Sequence, residues 1–373
     1  MKFLFACGGT GGHINPAVAA AQRIRTLMPD AECLFAGASD NMEMELVPRE
    51  GFPIRGITVG NLHRSMKPRE LAHNLRSGGQ LLRAMEEARR IIGEFRPDAV
   101  LGTGGYVCFP VLRAAAAQGI PTLLHEANAM PGLTTRMLEK HVDRMMVAFE
   151  ESRSGYRHPE KVLTVGMPVR SGFREADREQ ARRQLGLDER PFLLSFGGSL
   201  GARRLNAAVA ALAAENEKTG RFRLLHACGG GEAGLEEMKR LTAAAGAREL
   251  RYTELRPYIY DMPAVMAASD LILCRAGAST LGELCAVGRP AVLAPYPYAT
   301  GNHQEKNARL LEAAGGARIL LDDELTPENL SRLVKELLAS PDALRAMGQA
   351  QRALDRPDAL DTIVDEMLRL TGK

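Results

Sequence analysis

The stretch KFLFACGGTGGHINPAVAAAQRIRTLM (residues 2–28) opens the chain with a short apolar run, a glycine-rich segment and an alanine-rich segment. The apolar run is typical of a strand buried on both faces, and the last part predicts a helix from Ile14. The same pattern returns in RPFLLSFGGSLGARRLNAAVAALAA (residues 190–214). Because strands that alternate with helices form parallel sheets, the repeat predicts two similar α/β domains.

Length and composition limit the class of protein. The chain has 373 residues, more than one ordinary core accommodates, and its 45% hydrophobic and 25% charged residues are typical of a soluble globular protein. A net charge of +3 is too small to predict a nucleic-acid partner. The six cysteines form no CxxC pair, which favours buried free thiols in a reducing compartment.

The join between the domains is predicted at VGMPVRSGF (residues 165–173), where glycine and proline interrupt the pattern. We expect residues 1–165 to form the first domain and residues 166–344 to form the second. The terminal stretch PDALDTIVDEMLRLTGK has apolar residues at helical spacing and follows the second sheet. We therefore expect residues 345–373 to return to the first domain.

Three glycine-rich loops follow predicted strands: GGTGG (8–12), GTGGY (102–106) and GGSLG (197–201). None fits the dinucleotide fingerprint or the P-loop. Each alone is read most simply as a tight turn, but three of them at carboxyl ends of strands indicate a ligand-binding edge. GGSLG also matches the nucleophile elbow, with Asp270 and His303 following in order. We favour an anion-binding hydroxyl for Ser199 over a nucleophile.

RAGASTLGE (275–283) follows the strand DLILC and opens a helix. Its small residues allow a diphosphate to approach the helix N-terminus, and Glu283 is placed to accept hydrogen bonds from ribose hydroxyls. The alternative for Glu283 is a first-turn acid favoured by the helix dipole. Asn, His and Gln in NHQEKNA (302–308) suit sugar hydroxyls, or form a solvated helix start. No group of residues has metal-ligand spacing, so no metal or other cofactor is predicted.

The chain carries, in this order, GGTGGH, GTGGY, HEANAMPG, GMPVR, GGSLGA, YIYDM, RAGASTLGE and HQEKNA. This set, which spans residues 8–308, resembles the bacterial UDP-N-acetylglucosamine:lipid I N-acetylglucosaminyltransferases of peptidoglycan synthesis. The resemblance implies a GT-B fold, in which two Rossmann-like domains face a deep cleft. It implies that the second domain holds UDP-N-acetylglucosamine and the first receives lipid I. The reaction would be an inverting transfer to the C4 hydroxyl of the muramoyl sugar, giving lipid II and UDP without a bound metal.

The resemblance also implies roles for individual residues. Thr10, Gly11 and Gly12 would line the donor sugar and diphosphate, and Asn128 would hold a sugar hydroxyl. The other implied positions are Arg170 and Ser199 at the nucleotide or diphosphate, Ile259 at uracil through its backbone, Ala278, Ser279, Thr280, Leu281 and Gly282 around the nucleotide, Glu283 on the ribose, and His303 and Gln304 on N-acetylglucosamine. In two places the chain departs from the family, since Ala127 and Leu200 stand where glutamine is common. Each departure removes a side-chain amide near a ligand, worth about 0.5–1.5 kcal/mol.

Two candidates exist for the general base. His13 follows the first glycine loop at the place where the acceptor hydroxyl must lose its proton, and imidazole accepts protons near neutral pH. The alternative gives the base role to Glu126 and leaves His13 as a positioning group. Two other classes share the fold, a non-catalytic UDP-sugar-binding protein and a UDP-sugar epimerase.

A lipid-linked acceptor requires contact with a membrane, yet no apolar run reaches the length of a membrane span. Residues 62–96 carry eight Lys or Arg against four Glu. Leu71, Leu75, Leu82 and Met85 lie among these charges at roughly helical spacing. This mixture predicts an interfacial helix on anionic lipid, and thus a peripheral protein of the cytoplasmic membrane face. The alternative is an ordinary solvated helix whose leucines face the core.

Overall fold

The computed structural model describes residues 1–59, 68–198 and 200–372, without the side chains of residues 68–78 and 300. Its contacts divide the chain into two units. The first consists of Met1–Val169 with Arg356–Lys373, and the second is Arg170–Asp355. The first break lies within VGMPVRSGF. The second lies after the helix Pro341–Ala353, which therefore belongs to the second unit, whereas we expected the return to begin at residue 345.

The first unit is built on a parallel sheet of seven strands in its described residues, in the order β3-β2-β1-β4-β5-β6-β7. Alternate residues of β1 enter two different core clusters, because both faces of the sheet are covered. The strands are β1 (Lys2–Cys7), β2 (Glu32–Ala38), β3 (Ile54–Ile57), β4 (Ala99–Gly104), β5 (Thr122–Glu126), β6 (Arg144–Val147) and β7 (Val162–Thr164).

Helices connect these strands as the sequence predicts. They are α1 (Gly11–Leu27), α2 (Glu43–Arg49), α3 (Pro68–Phe95), α4 (Cys108–Ala116) and α5 (Leu133–Leu138), with short 3-10 turns at Glu150–Gly155 and Pro159–Lys161. Helix α1 begins at Gly11 rather than at Ile14, so that His13 lies in its first turn and Pro16 lies inside the helix. This start was missed because glycine predicts a loop and carries no apolar periodicity.

The second unit repeats the plan with six strands among its described residues, ordered β10-β9-β8-β11-β12-β13 and all parallel. The strands are β8 (Phe192–Phe196), β9 (Arg223–Ala227), β10 (Thr253–Arg256), β11 (Leu271–Cys274), β12 (Ala291–Leu293) and β13 (Ala317–Ile319). The helices are α6 (Gly172–Glu175), α7 (Arg178–Gln184), α8 (Arg203–Thr219), α9 (Gly231–Ala244), α10 (Met262–Ala268), α11 (Ala278–Val287), α12 (His303–Ala313), α13 (Pro327–Leu338) and α14 (Pro341–Ala353), with a 3-10 turn at Thr300–Asn302.

The last helix, α15 (Ala359–Thr371), returns to the first unit. Its apolar face buries Ile363, Val364 and Met367 in the core cluster that also holds β1 and α1 residues. Asp361 forms an ion pair with Arg23 of α1 at 2.5 Å. The two parallel α/β sheets and the returning helix confirm the expected architecture.

Both sheets reverse their strand order at one point, between β1 and β4 in the first unit and between β8 and β11 in the second. Loops that leave such a point at the carboxyl ends of the strands diverge and leave room for a ligand. The glycine-rich loops GGTGG and GTGGY follow β1 and β4, and GGSLG and RAGAST follow β8 and β11. Across the described residues, no helix combines the length and the hydropathy needed to cross a bilayer.

His226 of β9 links the stability of the second unit to pH. Its side chain is fully buried, and its Nδ1 lies 3.1 Å from the Ser195 hydroxyl on β8. Burial lowers the pKa of His226 from 6.5 to about 4, and the contact with Ser195 acts in the opposite direction. Between these values the unfolded chain binds more protons than the folded one. Stability is therefore complete above the unfolded pKa and is lost as the pH falls towards about 4.

We predict that His226→Asn reduces the acid sensitivity of the second unit, because asparagine retains a polar group near Nδ1 and cannot titrate. In the wild type, protonation of this histidine in the unfolded chain should lower the free energy of unfolding by about 2 kcal/mol as the pH falls from about 7 to about 5. Urea unfolding at both pH values, followed by circular dichroism, measures the difference. The exposed His158 supplies the control, and His158→Asn should keep the wild-type difference. An unchanged pH dependence in His226→Asn would contradict the assignment.

Candidate functional site

The first two glycine loops touch through their backbones. The N–H of Gly8 donates to the carbonyl of Gly104 at 3.2 Å. Gly105 has a φ of +90°, and a Cβ at this position would lie 2.4 Å from the Gly8 oxygen. A side chain there would force the loops apart, so glycine is required for the contact itself. The two loops thus form one backbone surface at the carboxyl edge of β1 and β4.

His13 lies half-buried on this surface, and its ring is held on two sides. Nδ1 lies 2.9 Å from the carbonyl oxygen of Gly8. Because a carbonyl only accepts, Nδ1 carries the proton and Nε2 keeps the lone pair. Gly104 packs against the other edge of the ring, since a Cβ there would lie 2.4 Å from Cδ2 and 2.8 Å from Nε2. The Thr103 hydroxyl donates to the carbonyl of His13 at 2.6 Å.

The N-terminus of α1 is open. Thr10 precedes the helix in an extended conformation, and its exposed side chain does not cap the helix. The first turn contains no acidic residue. The geometry of a helix leaves the N–H groups of Gly11 and Gly12 without an intrahelical acceptor. This end of the helix is therefore suited to an anionic or strongly polar ligand.

Glu43, the first residue of α2, lies beneath the first glycine loop and was missed by the sequence analysis. It is 0% exposed. One carboxylate oxygen accepts the N–H of Gly9 at 3.1 Å, and the other accepts the N–H of Ala38 at 2.9 Å. Its segment NMEMELVPRE also contains the exposed Glu45. Nothing in the sequence distinguishes the two carboxylates except that Glu43 falls on the inner face of a short helix.

Glu126 is almost entirely buried at the end of β5, and both of its oxygens are occupied. One accepts the backbone N–H and the side-chain amide of Asn128, at 3.0 and 2.9 Å. The other accepts the N–H of Gly132 at 3.0 Å and the hydroxyl of Thr135 at 2.6 Å. The carboxylate therefore holds the segment 128–132 in place. Proton uptake by Glu126 would weaken these bonds, which favours His13 as the base.

The carboxyl edge of the second sheet presents a second open helix end. Helix α11 begins at Ala278 after Gly277, with no side-chain cap and no acid in its first turn. By contrast, Asp177 and Thr326 cap α7 and α13. The predicted site residues of α11 differ in their exposure to solvent. Ala278 and Leu281 point into the core, so that only their backbones are available to a ligand, whereas Ser279, Thr280, Gly282 and Glu283 are partly exposed.

Gln304 in the first turn of α12 is tied to the neighbouring strand ends. Its amide oxygen accepts the N–H of Ala276 at 3.2 Å and of Tyr296 at 2.9 Å. The amide orientation is thereby fixed, with the NH₂ group left as the donor side. His303 precedes it and is partly exposed. The structure thus brings the start of α12 beside the loop that opens α11.

Arg275, the first residue of RAGASTLGE, also organises this edge, although the sequence analysis gave it no role. It is 9% exposed. Its guanidinium donates to the carbonyls of Ala294 and Pro295 at 2.9 and 3.0 Å and pairs with Asp322 at 2.9 Å. One side chain thus joins the segments that follow β11, β12 and β13. In the sequence, the position of Arg275 at the end of a predicted buried strand could have indicated this role.

The remaining expected positions are scattered over the second unit and one segment of the first. Ile259 is 3% exposed between two exposed tyrosines, so only its backbone is available to a base. The Arg170 guanidinium lies 5.7 Å from the Phe173 ring centre. Ser199 lies outside the described residues. Of the two departures from the family pattern, Ala127 is buried and Leu200 is 84% exposed.

Within the described part of the chain, no group of three or more His, Cys, Asp or Glu is arranged to hold a metal ion.

Comparisons with known proteins identify the family of the chain. The glycosyltransferase family 28 N-terminal domain matches residues 3–147, and the C-terminal domain of the same family matches residues 192–363. A relative from Desulforudis audaxviator is 45% identical over 100% of this chain and 99% of its own. It is named UDP-N-acetylglucosamine--N-acetylmuramyl-(pentapeptide) pyrophosphoryl-undecaprenol N-acetylglucosamine transferase.

Two solved structures place the fold. The crystal structure of Acinetobacter baumannii MurG is 30% identical, with a TM-score of 0.73 and 99% of both chains covered. The UDP-GlcNAc 2-epimerase of Neisseria meningitidis, bound to UDP-GlcNAc, has a TM-score of 0.67 over 99% of this chain and all of its own. At 15% identity this second likeness shows the fold alone. The expected GT-B type of fold is confirmed, and the chain belongs to glycosyltransferase family 28.

Proposed function

We propose that this protein transfers N-acetylglucosamine from UDP-N-acetylglucosamine to the C4 hydroxyl of the muramoyl sugar of lipid I, giving lipid II and UDP. Two relatives, at 45% and 40% identity, are named as transferases of N-acetylglucosamine that act with UDP-N-acetylglucosamine and N-acetylmuramyl-(pentapeptide) pyrophosphoryl-undecaprenol. The observation that carries the proposal is His13, a half-exposed imidazole whose Nδ1–H is held by Gly8 and whose Nε2 can accept a proton. An epimerase or a non-catalytic sugar-binding protein is not favoured, because family models and full-length relatives agree on a transferase.

The reaction is a single displacement with inversion. The acceptor oxygen forms a bond to the anomeric carbon while the bond from that carbon to the diphosphate oxygen breaks. The hydroxyl proton passes to Nε2 of His13, and the electron pair of the broken bond leaves with UDP. Negative charge therefore grows on the diphosphate, where the open N-terminus of α11 would stabilise it.

The second unit would hold the donor. Ser279 and Thr280, in the first turn of α11, would contact the diphosphate, and the Glu283 carboxylate would accept ribose hydroxyls. The NH₂ group of Gln304, whose oxygen already accepts two backbone N–H groups, would donate to the N-acetylglucosamine hydroxyls. The other proposed donor contacts are those of Arg170 and Ser199 with the nucleotide or diphosphate, of the Ile259 backbone with uracil, of Ala278, Leu281 and Gly282 around the nucleotide, and of His303 with the sugar.

The first unit would receive the acceptor. Thr10, Gly11 and Gly12 would approach the donor sugar and diphosphate through the open end of α1. Asn128 would hold a sugar hydroxyl from a segment that Glu126 fixes. In this arrangement His13 is the base and Glu126 is a positioning residue.

The protein should form lipid II from labelled UDP-N-acetylglucosamine only when lipid I is present. We predict that His13→Ala lowers kcat by about 10²–10⁴ and leaves UDP affinity nearly unchanged, because only the proton acceptor is lost. His158→Ala, which removes an exposed histidine of the same unit, should behave as the wild type. A His13→Ala enzyme that keeps its kcat within a few-fold, together with an inactive Glu126→Gln enzyme, would move the base to Glu126.

Gly104→Ala should impair the same step although His13 itself is not substituted. Its φ is +122°, and the new Cβ would lie 2.4 Å from the His13 ring, so the imidazole must move. We expect kcat to fall by about 10- to 100-fold, part of the full contribution of a general base, with little change in the KM for the donor. Gly119→Ala is the matched control, since Gly119 has a φ of +69° but no neighbour within 4 Å. Equal kcat values in the two variants would contradict the packing argument.

We also propose that the first unit binds the anionic cytoplasmic face of the membrane peripherally, since its acceptor is lipid-linked. Part of the predicted segment 62–96 lies outside the described residues, including the side chains of Leu71 and Leu75. In the remainder of α3, Met85 packs against the core, whereas Leu82 is 75% exposed. Arg83, Arg89 and Arg90 of the same helix are exposed, as is Glu86, and Arg83 pairs with Glu87. An exposed leucine on a helix with three exposed arginines suits weak interfacial binding.

Sedimentation with vesicles that contain anionic lipid tests this surface. We expect Leu82→Glu to reduce the bound fraction several-fold, because it removes apolar contact and adds repulsion, and high salt to reduce binding of the wild type. Leu354→Glu, at a 45% exposed leucine of the second unit, should bind as the wild type does. Binding that responds neither to salt nor to Leu82→Glu would place the membrane surface elsewhere.

A further inference from the structure

The peptide group between Gly8 and Gly9 is hydrogen-bonded on both of its sides. Its N–H, from Gly9, donates to the Glu43 carboxylate at 3.1 Å. Its carbonyl, from Gly8, accepts the Nδ1–H of His13 at 2.9 Å. The C=O and N–H of a trans peptide point in opposite directions, so a single planar group connects a carboxylate with an imidazole. We call these three groups the Glu43–His13 link.

The carboxylate of Glu43 lies in a fully buried environment, which is unusual for a charged group. Glu43 is 0% exposed, and among the described residues it forms no ion pair. A buried charge without a cation is unfavourable unless hydrogen bonds compensate, and here two backbone N–H groups do so. Each N–H group is accepted by a different carboxylate oxygen, and a glutamine amide, with one oxygen and one NH₂ group, would leave one of them without an acceptor. The charge of this carboxylate lies one peptide group away from the His13 ring.

We propose that Glu43 is a positioning residue for His13, acting through the Gly8–Gly9 peptide; this inference rests on the proposed role of His13 as the base. A carboxylate on the N–H side polarises the peptide and makes the Gly8 oxygen a stronger acceptor. The stronger bond keeps the proton on Nδ1 and turns Nε2 towards the acceptor hydroxyl. When Nε2 takes that proton, the negative charge of Glu43 stabilises the imidazolium.

The glycines around Glu43 fit this role. A Cβ on Gly8 would lie 2.4 Å from the carboxylate oxygen, and a Cβ on Gly37 would lie 2.5 Å from Cγ. Gly9 has a φ of +87° with no neighbour within 4 Å, so its backbone conformation, rather than crowding, requires glycine. These positions allow a buried carboxylate to reach the peptide from below. The Gly9 N–H is thereby assigned to Glu43 and not to a ligand.

Glu43→Gln is the direct test, because it keeps size and shape, removes the charge and replaces one acceptor oxygen by an NH₂ donor. We expect kcat for lipid II formation to fall about tenfold, part of the contribution of a general base, with the KM for UDP-N-acetylglucosamine within about twofold. In the wild type labelled with ¹⁵N-histidine, NMR should show His13 with its proton on Nδ1. In Glu43→Gln, the spectrum should show a mixture of both tautomers. Loss of the signal in His13→Ala assigns it.

Two glutamates supply matched controls. Glu45 lies on the same helix but is exposed, and Glu45→Gln should leave kcat and the His13 tautomer unchanged. Glu139 is 5% exposed and accepts the N–H groups of Arg157 and His158, so it is also a buried carboxylate bound to backbone. Glu139→Gln removes the buried charge, retains the one oxygen that accepts both N–H groups, and should leave the His13 spectrum unaltered. This comparison separates a specific link from a general effect of removing a buried charge.

A Glu43→Gln enzyme with wild-type kcat and an unchanged His13 tautomer would overturn the proposal. Should this variant fail to fold, the wild type alone decides. The link requires a Gly9 amide proton that is shifted downfield and protected from exchange although Gly9 is exposed, and a His13 proton on Nδ1. A rapidly exchanging Gly9 amide, or a proton on Nε2, would refute it. The NMR measurements need no substrate, so absence of lipid II formation would count against the proposed function and not against the link.

Discussion

The backbone contact between Gly8 and the Gly104–Gly105 pair is the constraint on which the site of the first unit depends. Strands β1 and β4 are neighbours at the point where the strand order reverses, so the loops that leave them meet at one edge. They can touch only because Gly105 has no Cβ; a Cβ at this position would lie 2.4 Å from the Gly8 oxygen. This contact fixes the Gly8 carbonyl, and the carbonyl fixes the ring of His13. The chemistry proposed for His13 thus begins with residues that have no side chain.

Both units apply the same principle at their helix ends. Helices α1, α8 and α11 begin directly after strand-end loops, and each lacks both a side-chain cap and an acid in its first turn. A cap contributes about 1 kcal/mol, so its absence at these three places lowers the stability of the protein without its ligand. The N–H groups left open are those that a diphosphate would take. Each unit by itself therefore offers open helix ends at the carboxyl edge of its sheet.

The sequence was sufficient for the architecture and for the family because both depend on local patterns. Apolar runs followed by glycine and then by an alanine-rich helix recur in both halves, and each such unit has few ways to fold. The ordered motifs then identify the family without knowledge of any contact. The start of α1 at Gly11 was the exception, because the helix there depends on its position after β1 and not on residue propensity.

The roles of individual side chains were harder to predict, because burial decides them. Glu43 and Glu45 are two residues apart in NMEMELVPRE, yet one is 0% exposed and the other is on the surface. Glu126 is the alternative base in the sequence because it is titratable and follows a predicted strand. In the structure its two oxygens accept hydrogen bonds from the segment 128–135, including those of Asn128, and the sequence does not reveal these contacts. Whether a carboxylate is chemically available depends on the N–H groups that surround it, and these come from distant parts of the chain.

The first glycine loop has two parts with different surroundings. At its start, the Gly8–Gly9 peptide is bound on both sides by the protein, to Glu43 and to His13. At its end, Gly11 and Gly12 begin a helix whose first N–H groups have no acceptor within the helix. The ligand proposed for this loop would therefore meet only the second part, because the first part is already hydrogen-bonded within the protein. Groups fixed in advance need not reorganise during the reaction, which is the condition under which hydrogen bonds lower a barrier most. In this protein a loop of glycines is held by hydrogen bonds at its start and left open at its end.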